Sequence, residues 1–367
     1  MYSKRPNADR IENNPVEDKG LVSVLMSVYK TKVSYLDRSV KSILDQSYRN
    51  LEFIIINDGC DSEALEYLES IRDSRVMVLH NDHNMGLAAS LNKGIKAAKG
   101  KYIARMDADD YSLPERLCEQ VRYMEEHQDI DVLACISYDI RDGKTTGDVG
   151  GAYYKFDNTD MQIELSLAPK VFPHPTVMFR KSFLDKTGIF YDEKFMRSQD
   201  YDMWARCVMK GKLDSLQKPL LLYDVSDKAS VELSEAQIHY SNLTKLKCLD
   251  RLLPDATDKE KDLYVHMREM KLTGSVDDNI ELVNKLVEGN RIQKIYDAGR
   301  YSLILYFWWG RKMLYSENRQ FLTEFLKRPT FMLRVIRAYF VKLPGHLMQK
   351  SYDKKMTKKA LSCGITI

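Results

Sequence analysis

The sequence of 367 residues has no long apolar segment. Its longest uninterrupted apolar run is Leu303–Trp309, whereas a membrane-spanning helix needs about 20 such residues, so we expect no transmembrane segment. The six cysteines include no CxxC pair, which argues against a zinc ribbon and against a disulfide framework. No internal repeat is evident, which excludes solenoid architectures. The amino terminus lacks the apolar core of a signal peptide, so we expect a polar leader in residues 1–20 and a cytoplasmic protein.

Charge is distributed unevenly along the chain. Residues 291–367 contain 16 Lys and Arg against 4 Asp and Glu, a net charge of +12, whereas residues 1–290 have a net charge of −9. The two regions are therefore expected to meet different partners. We expect no nucleic-acid partner, because no recognised nucleic-acid module accompanies the basic tail. Hydrophobic residues make up 44 % of the sequence, which is typical of a globular protein with enough material for a core.

Apolar strand-like segments alternate with segments of helical periodicity in the first part of the chain. The predicted strands are Leu21–Val28, Leu51–Asn57, Val76–Leu79, the start of Lys101–Asp110, and Val132–Ile136. This alternation predicts an α/β fold with a doubly wound, mostly parallel sheet. The segment Arg141–Tyr154 is rich in Gly, Asp and Thr and is predicted to be a loop. Strands at Pro173–Arg180 and Leu220–Tyr223 and a helix at Asp200–Lys210 are expected after it.

From Ser234 onward the periodicity is helical only. We therefore expect a catalytic domain in residues 21–231 and a helical C-terminal region in residues 232–367. Within the catalytic domain, a nucleotide-binding half is predicted at about residues 21–140 and an acceptor-binding half at about residues 141–231.

The carboxyl end of the predicted central strand is rich in carboxylates. In parallel α/β sheets, ligands bind at this edge. The segment KYIARMDADD ends in an acidic cluster, and Asp107 and Asp109, one residue apart, can point the same way from an extended chain. Such a pair offers oxygen ligands to a hard divalent cation beside a phosphate. An acidic loop followed by a helix start at Ser112, Pro114 and Glu115 explains the same residues without a metal.

Two further strand ends lie at the same predicted edge. Val28 and Tyr29 end the first strand, and Asp58 follows the second. A nucleotide could lie across them, with Tyr29 against the base, Asp58 accepting from the imide N–H of a uracil, Asp107 taking ribose hydroxyls and Asp109 holding the metal. A plain Asp-Gly turn accounts for Asp58 equally well.

Five segments in order resemble the family-2 glycosyltransferases of the GT-A fold, which make bacterial surface polysaccharides. They are SVLMSVYK, QSYRNLEFIIINDG, NMGLAASLNKGIKAAKGKYIARMDADD, HPTVMFRK and SQDYDMWARC, and they span roughly Leu21–Val231. Several ordered motifs are more specific than any one of them. The resemblance implies a nucleotide-sugar donor such as a UDP-sugar, a Mn²⁺ or Mg²⁺ ion, and inverting transfer of a hexose-type sugar to an acceptor hydroxyl. It also implies that Asp58 contacts the base, that Asp107 and Asp109 contact the ribose and the metal-bridged diphosphate, and that Asp200 is the catalytic base.

The acceptor side is expected around the last two motifs. Asp200 lies at the start of a predicted helix, where a first-turn acid is also ordinary, and the other motifs favour its role as the base. Asp202 on the same turn is the substitute candidate, and Gln199 stands where the family commonly has Glu. His174 lies between two prolines and is a candidate for shaping the acceptor pocket, although a lone histidine is more often structural.

The remaining features of the resemblance concern the donor and the metal. Asn84 and Gly86 fall where the family approaches the donor, although a glycine at a helix entry explains Gly86 as well. A histidine often found after the last strand is missing from YDVSDKASV. Asp224 and Asp227 are therefore stand-in candidates for a further metal ligand.

Two alternatives to a glycosyltransferase remain open. A sugar nucleotidyltransferase also uses paired acids on a parallel sheet, but it needs a glycine-rich phosphate loop after the first strand, and Tyr29–Lys32 contains no glycine. A non-catalytic sugar-nucleotide-binding protein of the same fold is the other alternative, and the presence of Asp200 with the intact DAD triplet argues against it.

The basic tail combines cations with aromatic residues, which are Tyr301, Tyr306, Phe307, Trp308, Trp309, Phe331, Tyr339 and Phe340. This mixture suits a helix lying on an anionic membrane. The alternative is a bundle that packs these aromatic residues on the catalytic domain or across a homodimer. Because enzymes of the resembling family usually act on lipid-linked acceptors, the resemblance implies peripheral contact of residues 291–367 with the inner face of the plasma membrane and a lipid-linked saccharide acceptor.

Overall fold

The computed structural model describes residues 19–153, 157–169, 172–226, 234–268, 273–315 and 327–362. Most of the predicted leader therefore lies outside the described residues. The strands are β1 (Val22–Val28), β2 (Leu51–Asn57), β3 (Val76–His80), β4 (Tyr102–Asp107), β5 (Tyr111–Ser112), β6 (Val132–Arg141), β7 (Lys144–Gly150), β8 (Met178–Arg180) and β9 (Leu213–Asp224). The helices of the catalytic part are α1 (Val33–Leu44), α2 (Ser62–Ser70), α3 (Leu87–Ala97), α4 (Arg116–Glu126), α5 (Asn158–Leu167), α6 (Lys181–Thr187) and α7 (Gln199–Cys207). The C-terminal helices are α8 (Glu235–Leu252), α9 (Asp258–Val265), α10 (Val276–Gln293), α11 (Ala298–Tyr315) and α12 (Pro329–Ser362).

The strands of the described residues form one sheet in the order β3-β2-β1-β4-β8-β6-β9-β5, and β7 pairs with β6 outside this path. β1 is parallel to β2 and to β4, and β2 is parallel to β3. β8 is antiparallel to both of its neighbours, β4 and β6. The predicted α/β fold with a doubly wound, mostly parallel sheet is thus confirmed. The sheet joins strands from both predicted halves of the catalytic domain.

Both faces of the sheet are covered by helices, as its largely parallel pairing requires. Side chains alternate along β1, so that Val24 and Met26 enter one apolar cluster and Leu25 enters the other. Residues of α1, α2 and α4 complete the first cluster, and residues of α3, α6 and α7 complete the second. This packing fixes the carboxyl ends of β1, β2 and β4 side by side.

The loop predicted at Arg141–Tyr154 is wrong. β6 continues to Arg141, and β7 returns beside it as a hairpin. The turn residues Asp142 and Gly143 have φ values of 49° and 76°, which suits the tight two-residue turn that Asp-Gly favours.

Two other boundaries in the second half differ from the prediction. The strand predicted at Pro173–Arg180 is a 3₁₀ turn at His174–Thr176 followed by the three-residue strand β8. Pro175 within that turn has no N–H to offer a strand partner. β9 is longer than the predicted Leu220–Tyr223, and α5 and α6 were not predicted.

The described residues from Ser234 onward contain helices and no strand, as predicted. The surface position predicted for the aromatic residues of the tail is largely wrong, because Tyr301, Tyr306, Phe307, Trp309 and Phe331 are buried in the core of the helical region. For these residues, packing within a bundle is the correct alternative. Within the described residues, none of the helices combines the length and apolar character needed to cross a bilayer.

Candidate active site

The carboxyl end of β4 carries three acidic side chains close together. Asp107, Asp109 and Asp110 each offer a carboxylate oxygen, and these oxygens lie within 4.8 Å of one another. Asp109 is half-buried, whereas Asp110 is fully buried and accepts at Oδ1 from the backbone N–H of Asp224 at 2.9 Å. Three carboxylate oxygens at this spacing fit a single hard cation that prefers oxygen ligands. The carboxylates of Asp107 and Asp109, which were predicted to point the same way, therefore lie close enough to share one ion.

An open cleft with a volume of about 240 Å³ adjoins the acidic cluster. Its lining consists of Tyr29, Lys30, Thr31, Lys32, Tyr35, Asp109 and Asp224. Tyr29 is 43 % exposed, and Lys30 Nζ lies over its ring at 5.1 Å from the centroid. The loop after β1 also brings two lysines near Asp109. Cations and a carboxylate on the same wall suit a diphosphate bridged by a metal ion, because ammonium groups bind phosphate oxygens and the carboxylate binds the metal.

Arg38 on α1 connects the acidic cluster to the end of β9. Its Nη2 donates to the backbone oxygen of Asp109 at 2.6 Å and to Oδ2 of Asp224 at 2.7 Å. Burial acts to raise the pKa of Asp224, but hydrogen bonds from Ser226 and Arg38 outweigh it and hold the pKa below the ordinary value of an aspartate. Asp224 therefore lies at the cleft as an ionised group already paired with Arg38. Asp227, the other stand-in candidate, lies outside the described residues.

Asp58 follows β2 and is only 2 % exposed. Its Oδ1 accepts from Asn81 Nδ2 at 2.8 Å and from the backbone N–H of Met85 at 2.7 Å, and its Oδ2 accepts from the N–H of Gly86 at 3.0 Å. The carboxylate therefore orders the loop of residues 81–86 beside the site. Its contact with a nucleotide base stays a prediction.

The other residues predicted for the donor surround Asp58. Val28 is fully buried, and its carbonyl accepts from the N–H of Asp58 at 2.9 Å, so its place in the structure is behind Asp58 rather than at the surface of the cleft. Asn84 is exposed and accepts at Oδ1 from Gly86. Gly86 precedes α3 with a φ of 85°. A Cβ at this position would meet no atom within 4 Å, so backbone conformation rather than space favours glycine there.

Asp200 lies in the first turn of α7. The preceding Ser198 has a left-handed φ of 53° and is held from α8, because its Oγ donates to the carbonyl of Gln237 at 3.2 Å. Burial raises the pKa of Asp200 above the ordinary value, whereas its hydrogen bond with the N–H of Tyr201 and the charge of Arg105 act to lower it. A carboxylate with a raised pKa is a better proton acceptor near neutral pH. The raised pKa is consistent with a general base, and the role of Asp200 as the base stays a prediction.

Asp202 on the same turn has a different environment. It is 1 % exposed and forms salt bridges with Arg206 at 2.7 Å and with Lys247 of α8 at 2.9 Å. One of its oxygens is therefore paired within α7, and the other attaches α7 to α8. Gln199 is the first residue of α7 and directly precedes Asp200, and its side chain is half-buried. Asp200, in contrast to Asp202, forms no salt bridge with Lys or Arg among the described residues.

His174 occupies the 3₁₀ turn between β7 and β8. Its Nε2 shares a hydrogen bond of 2.7 Å with the hydroxyl of Tyr191, and its ring meets that of Trp204 edge-on at a centroid distance of 5.9 Å. Burial, and secondly the charge of Arg105, hold the pKa of His174 well below its usual range. His174 is therefore a neutral ring at neutral pH, with Tyr191 as its fixed partner.

Arg105 is the main residue that sequence reasoning missed. It is buried on β4, forms a salt bridge with Asp107, and acts by its charge on Asp200 and His174. Its Nε and Nη1 have no hydrogen-bond partner within the described part of the chain, so Asp107 is its principal anchor. The sequence does contain a signal for this residue, because a cation stands in an otherwise apolar strand. It comes two residues before Asp107 and is therefore expected on the same side of the strand.

A buried polar network supports this arrangement. Arg116 Nη2 donates to the carbonyl of Arg105 at 2.7 Å, and Gln120 Nε2 donates to the carbonyl of Thr176 at 2.8 Å. Arg116 and Gln120 are themselves joined by a hydrogen bond of 3.1 Å. The network links the donor-side strand β4 to the turn that carries His174. Burial lowers the pKa of Arg116 to about 10, which leaves it charged at neutral pH.

Comparisons with known proteins identify the family of the chain. Residues 23–188 match the model of glycosyl transferase family 2. An uncharacterized glycosyltransferase of Methanocaldococcus jannaschii is 37 % identical over 216 residues, which cover 58 % of this chain and 73 % of that protein. WfaP of Escherichia coli, a UDP-Glc:alpha-D-GlcNAc-diphosphoundecaprenol beta-1,3-glucosyltransferase, is 35 % identical over 105 residues, or 29 % of this chain and 41 % of WfaP.

A solved structure shares the fold. The crystal structure of S. aureus TarS 1-349 in complex with UDP-GlcNAc aligns with a TM-score of 0.53 and 15 % identity, and it covers 79 % of this chain and 88 % of that one. Three observations agree with one another: the five ordered motifs, the GT-A arrangement of the sheet, and the identity of 37 % across most of a relative. Together they decide against a sugar nucleotidyltransferase. The chain therefore belongs to glycosyltransferase family 2, has the GT-A fold and is a glycosyltransferase.

Proposed function

We propose that this glycosyltransferase moves a hexose-type sugar from a UDP-sugar to an acceptor hydroxyl by an inverting, metal-dependent reaction. The observation that carries the proposal is that two acidic groups share one buried cation, Arg105. Its guanidinium forms a salt bridge with Asp107 of the acidic cluster, and its charge acts on Asp200, a half-buried carboxylate with a raised pKa. An inverting transferase needs a site for a leaving diphosphate and a separate base for the attacking alcohol.

The donor is proposed to bind along the cleft. Tyr29 would stack on the base, while Asp58, with Asn84 and Gly86, would define the pocket beyond it. Asp107 and Asp109, with Asp110 behind them, would hold Mn²⁺ or Mg²⁺. When bound, such an ion neutralises the charge that develops on the departing diphosphate. The lysines of the cleft add positive charge on the same side.

The acceptor is proposed to approach Asp200. The ionised Asp200 would take the proton of the attacking hydroxyl as the new glycosidic bond forms and the bond to the diphosphate breaks. His174 and Gln199 would shape the acceptor pocket, with the neutral His174 ring held by Tyr191. Asp202 is proposed to position α7, because its carboxylate is already paired with two cations.

The acceptor is proposed to be a lipid-linked saccharide in the synthesis of capsule, O-antigen or a related polysaccharide. The name of WfaP, a relative over part of the chain, specifies an acceptor linked to diphosphoundecaprenol, which supports this class. A lipid-linked acceptor requires the enzyme at a membrane surface, so we also propose a cytoplasmic protein that binds the inner face of the plasma membrane peripherally.

Measuring UDP release from a panel of UDP-sugars, with and without lipid-linked acceptors, tests the proposal. Asp200→Asn should bind UDP as the wild type does but lose transfer by a factor of about 10² or more, as expected when a general base is removed. Asp202→Asn is the matched control on the same turn. It should lose stability, because it removes the charge that pairs with Arg206 and Lys247, and keep transfer in the folded fraction. Normal transfer by Asp200→Asn, with loss of transfer in a folded Asp202→Asn, would show that Asp202 is the base.

A further inference from the structure

The outer face of α12 differs from the rest of the described surface. Thirteen large hydrophobic residues are exposed among the described residues, and seven of them lie on this one helix. They are Leu333, Ile336, Phe340, Val341, Leu347, Met348 and Leu361. Phe340 is 75 % exposed. A cluster of this kind on one helix marks an interaction surface more often than scattered apolar residues do.

Four of the seven exposed residues form a stripe along the helix. At 3.6 residues per turn, Leu333, Ile336 and Leu347 lie within about 40° of Phe340 around the helix axis. From Leu333 to Leu347 the stripe is about 21 Å long. The opposite side of α12 is already occupied, because residues such as Val335, Ala338, Met356 and Ala360 are buried against the rest of the protein. The stripe is therefore a second apolar face with no cover among the described residues.

Positive charge accompanies and continues this stripe. The segment 329–362 contains eight Lys and Arg against one acidic residue, Asp353. Seven of the eight cations are exposed, namely Arg334, Arg337, Lys350, Lys354, Lys355, Lys358 and Lys359. Lys354 and Lys358 lie on the same side of the helix as Phe340. The outer face thus has an apolar amino-terminal half and a basic carboxy-terminal half.

We propose that this outer face of α12 docks the protein onto an anionic lipid bilayer. The apolar stripe would enter the headgroup region, and the lysines beyond it would meet lipid phosphates. This assignment rests on the proposed membrane localisation and deepens it by naming the surface. It moves the contact away from α11, because most aromatic residues of that helix are buried in the helical core, namely Tyr301, Tyr306, Phe307 and Trp309.

Charge decides between a bilayer and a second copy of this chain. A second copy meeting the same face would bring one cationic helix against another, and the only carboxylate on either helix would be Asp353. A bilayer containing acidic phospholipid supplies phosphates in excess. Each lysine near such a surface contributes about fivefold to affinity, so the three lysines Lys354, Lys355 and Lys358 together account for about 10²-fold.

Vesicle flotation of the full chain tests the proposal. We would compare vesicles of phosphatidylglycerol mixed with phosphatidylcholine against vesicles of phosphatidylcholine alone, at about 0.05 M and about 1 M salt, because high salt screens surface charge. The wild type should float with the anionic vesicles at low salt and stay behind under the other conditions. Two variants test the two halves of the face separately. The apolar variant combines Phe340→Ser with Leu347→Ser. The lysine variant combines Lys354→Glu, Lys355→Glu and Lys358→Glu.

Matched controls carry the same changes elsewhere on the surface. Ile238→Ser with Ile292→Ser removes two exposed apolar residues, one on α8 and one on α10. Lys99→Glu with Lys186→Glu and Lys210→Glu reverses three exposed lysines of the catalytic domain. The lysine variant of α12 removes three positive charges and adds three negative ones, so it should lose more than about 10²-fold in vesicle affinity. The apolar variant should lose at least about tenfold, whereas both controls should float as the wild type does. All variants change exposed side chains, so unchanged circular dichroism and melting temperature will verify folding.

Three results would overturn docking through α12. The first is that the wild type fails to float with anionic vesicles at low salt. The second is that the lysine variant of α12 floats as well as the wild type does. The third is that light scattering shows a dimer of the wild type that the apolar variant dissociates, while neither protein binds lipid. The last result would assign the stripe to a second copy. Flotation uses neither donor nor acceptor, so its outcome is independent of the transfer assay.

Discussion

Replacing Asp58 with asparagine should destabilise the protein through the loop of residues 81–86. The carbonyl oxygen of an asparagine can take the place of Oδ1, which now accepts from Asn81 and Met85. Its amide NH₂ group then faces the N–H of Gly86, and because both groups are donors, this hydrogen bond is lost. A buried donor left unsatisfied costs about 1 to 3 kcal/mol. Gly86 also donates to Asn84 Oδ1 at 3.0 Å, which limits this cost. The two remaining bonds lose their charge, so we expect a total of about 2 kcal/mol.

Urea unfolding with linear extrapolation measures this free energy. Asp61→Asn is the matched control, because Asp61 is exposed and caps α2 by accepting from the N–H of Ala64 at 2.9 Å. Asparagine caps helices about as well as aspartate does, so the control should change the free energy of unfolding by less than about 0.5 kcal/mol. Equal stability of Asp58→Asn and Asp61→Asn would refute the assignment of Asp58 as the group that holds the loop.

Two further predictions concern the acidic cluster and Arg105. Asp109→Ala should lose transfer and weaken UDP binding in the presence of Mn²⁺, because the diphosphate then lacks its bridging ion; full activity of this variant, or of the wild type in excess chelator, would remove the metal assignment. Arg105→Gln should raise the pKa of Asp200 further, since the guanidinium charge acts to lower it. Asp200 works as a base only when ionised, so transfer is present above its pKa and lost as pH falls through it, and the acidic limb of the kcat/KM profile should move to higher pH. Arg206→Gln, which removes a cation paired with Asp202, should leave that limb in place, and an unmoved limb in Arg105→Gln would show that Arg105 does not act on Asp200.

The edge of the sheet that carries the site was predictable from the sequence. Apolar strands of the parallel type end in polar residues, and their carboxyl ends must meet at one edge, so Asp107 and Asp109 were expected beside the end of β1. The partners of Asp58 were not predictable, because Asn81, Met85 and Gly86 reach it only through the folding of a separate loop. Arg105 was missed because a cation in a buried strand is costly unless paired, and its pairing with Asp107 appears only in three dimensions.

Composition misled the prediction at the β6–β7 hairpin. Glycine-rich sequence was interpreted as a loop, but Gly150 stands where packing leaves no room for a side chain. A Cβ there would lie 2.6 Å from the ring of Pro173 and 2.6 Å from Ser137 Oγ. Close approach of the hairpin to the 3₁₀ turn therefore requires glycine within a strand.

The aromatic residues of the tail were misassigned for a related reason. Their neighbouring cations were expected to meet lipid, but Arg311 of the tail lies over an aromatic ring of the same chain, and so does Arg268, which precedes the tail. Arg268 lies 3.8 Å and Arg311 lies 5.0 Å from the ring centroid of Trp308, whose indole N–H donates to Glu164. Cation–π pairing inside the bundle and pairing at a membrane surface use the same residue types, so the sequence alone does not separate them.

The position of β8 has a consequence for synthesis on the ribosome. β8 lies between β4 and β6, and β9 covers the other side of β6, so a nascent chain that has emerged only through β6 has two strands with open edges at the centre of its sheet. At about 5 to 20 residues per second, translation from Arg141 to Asp224 takes roughly 4 to 17 s. During this interval the apolar faces of β4 and β6 are available to chaperones and to other nascent chains. Slow codons placed between these strands would lengthen the exposure.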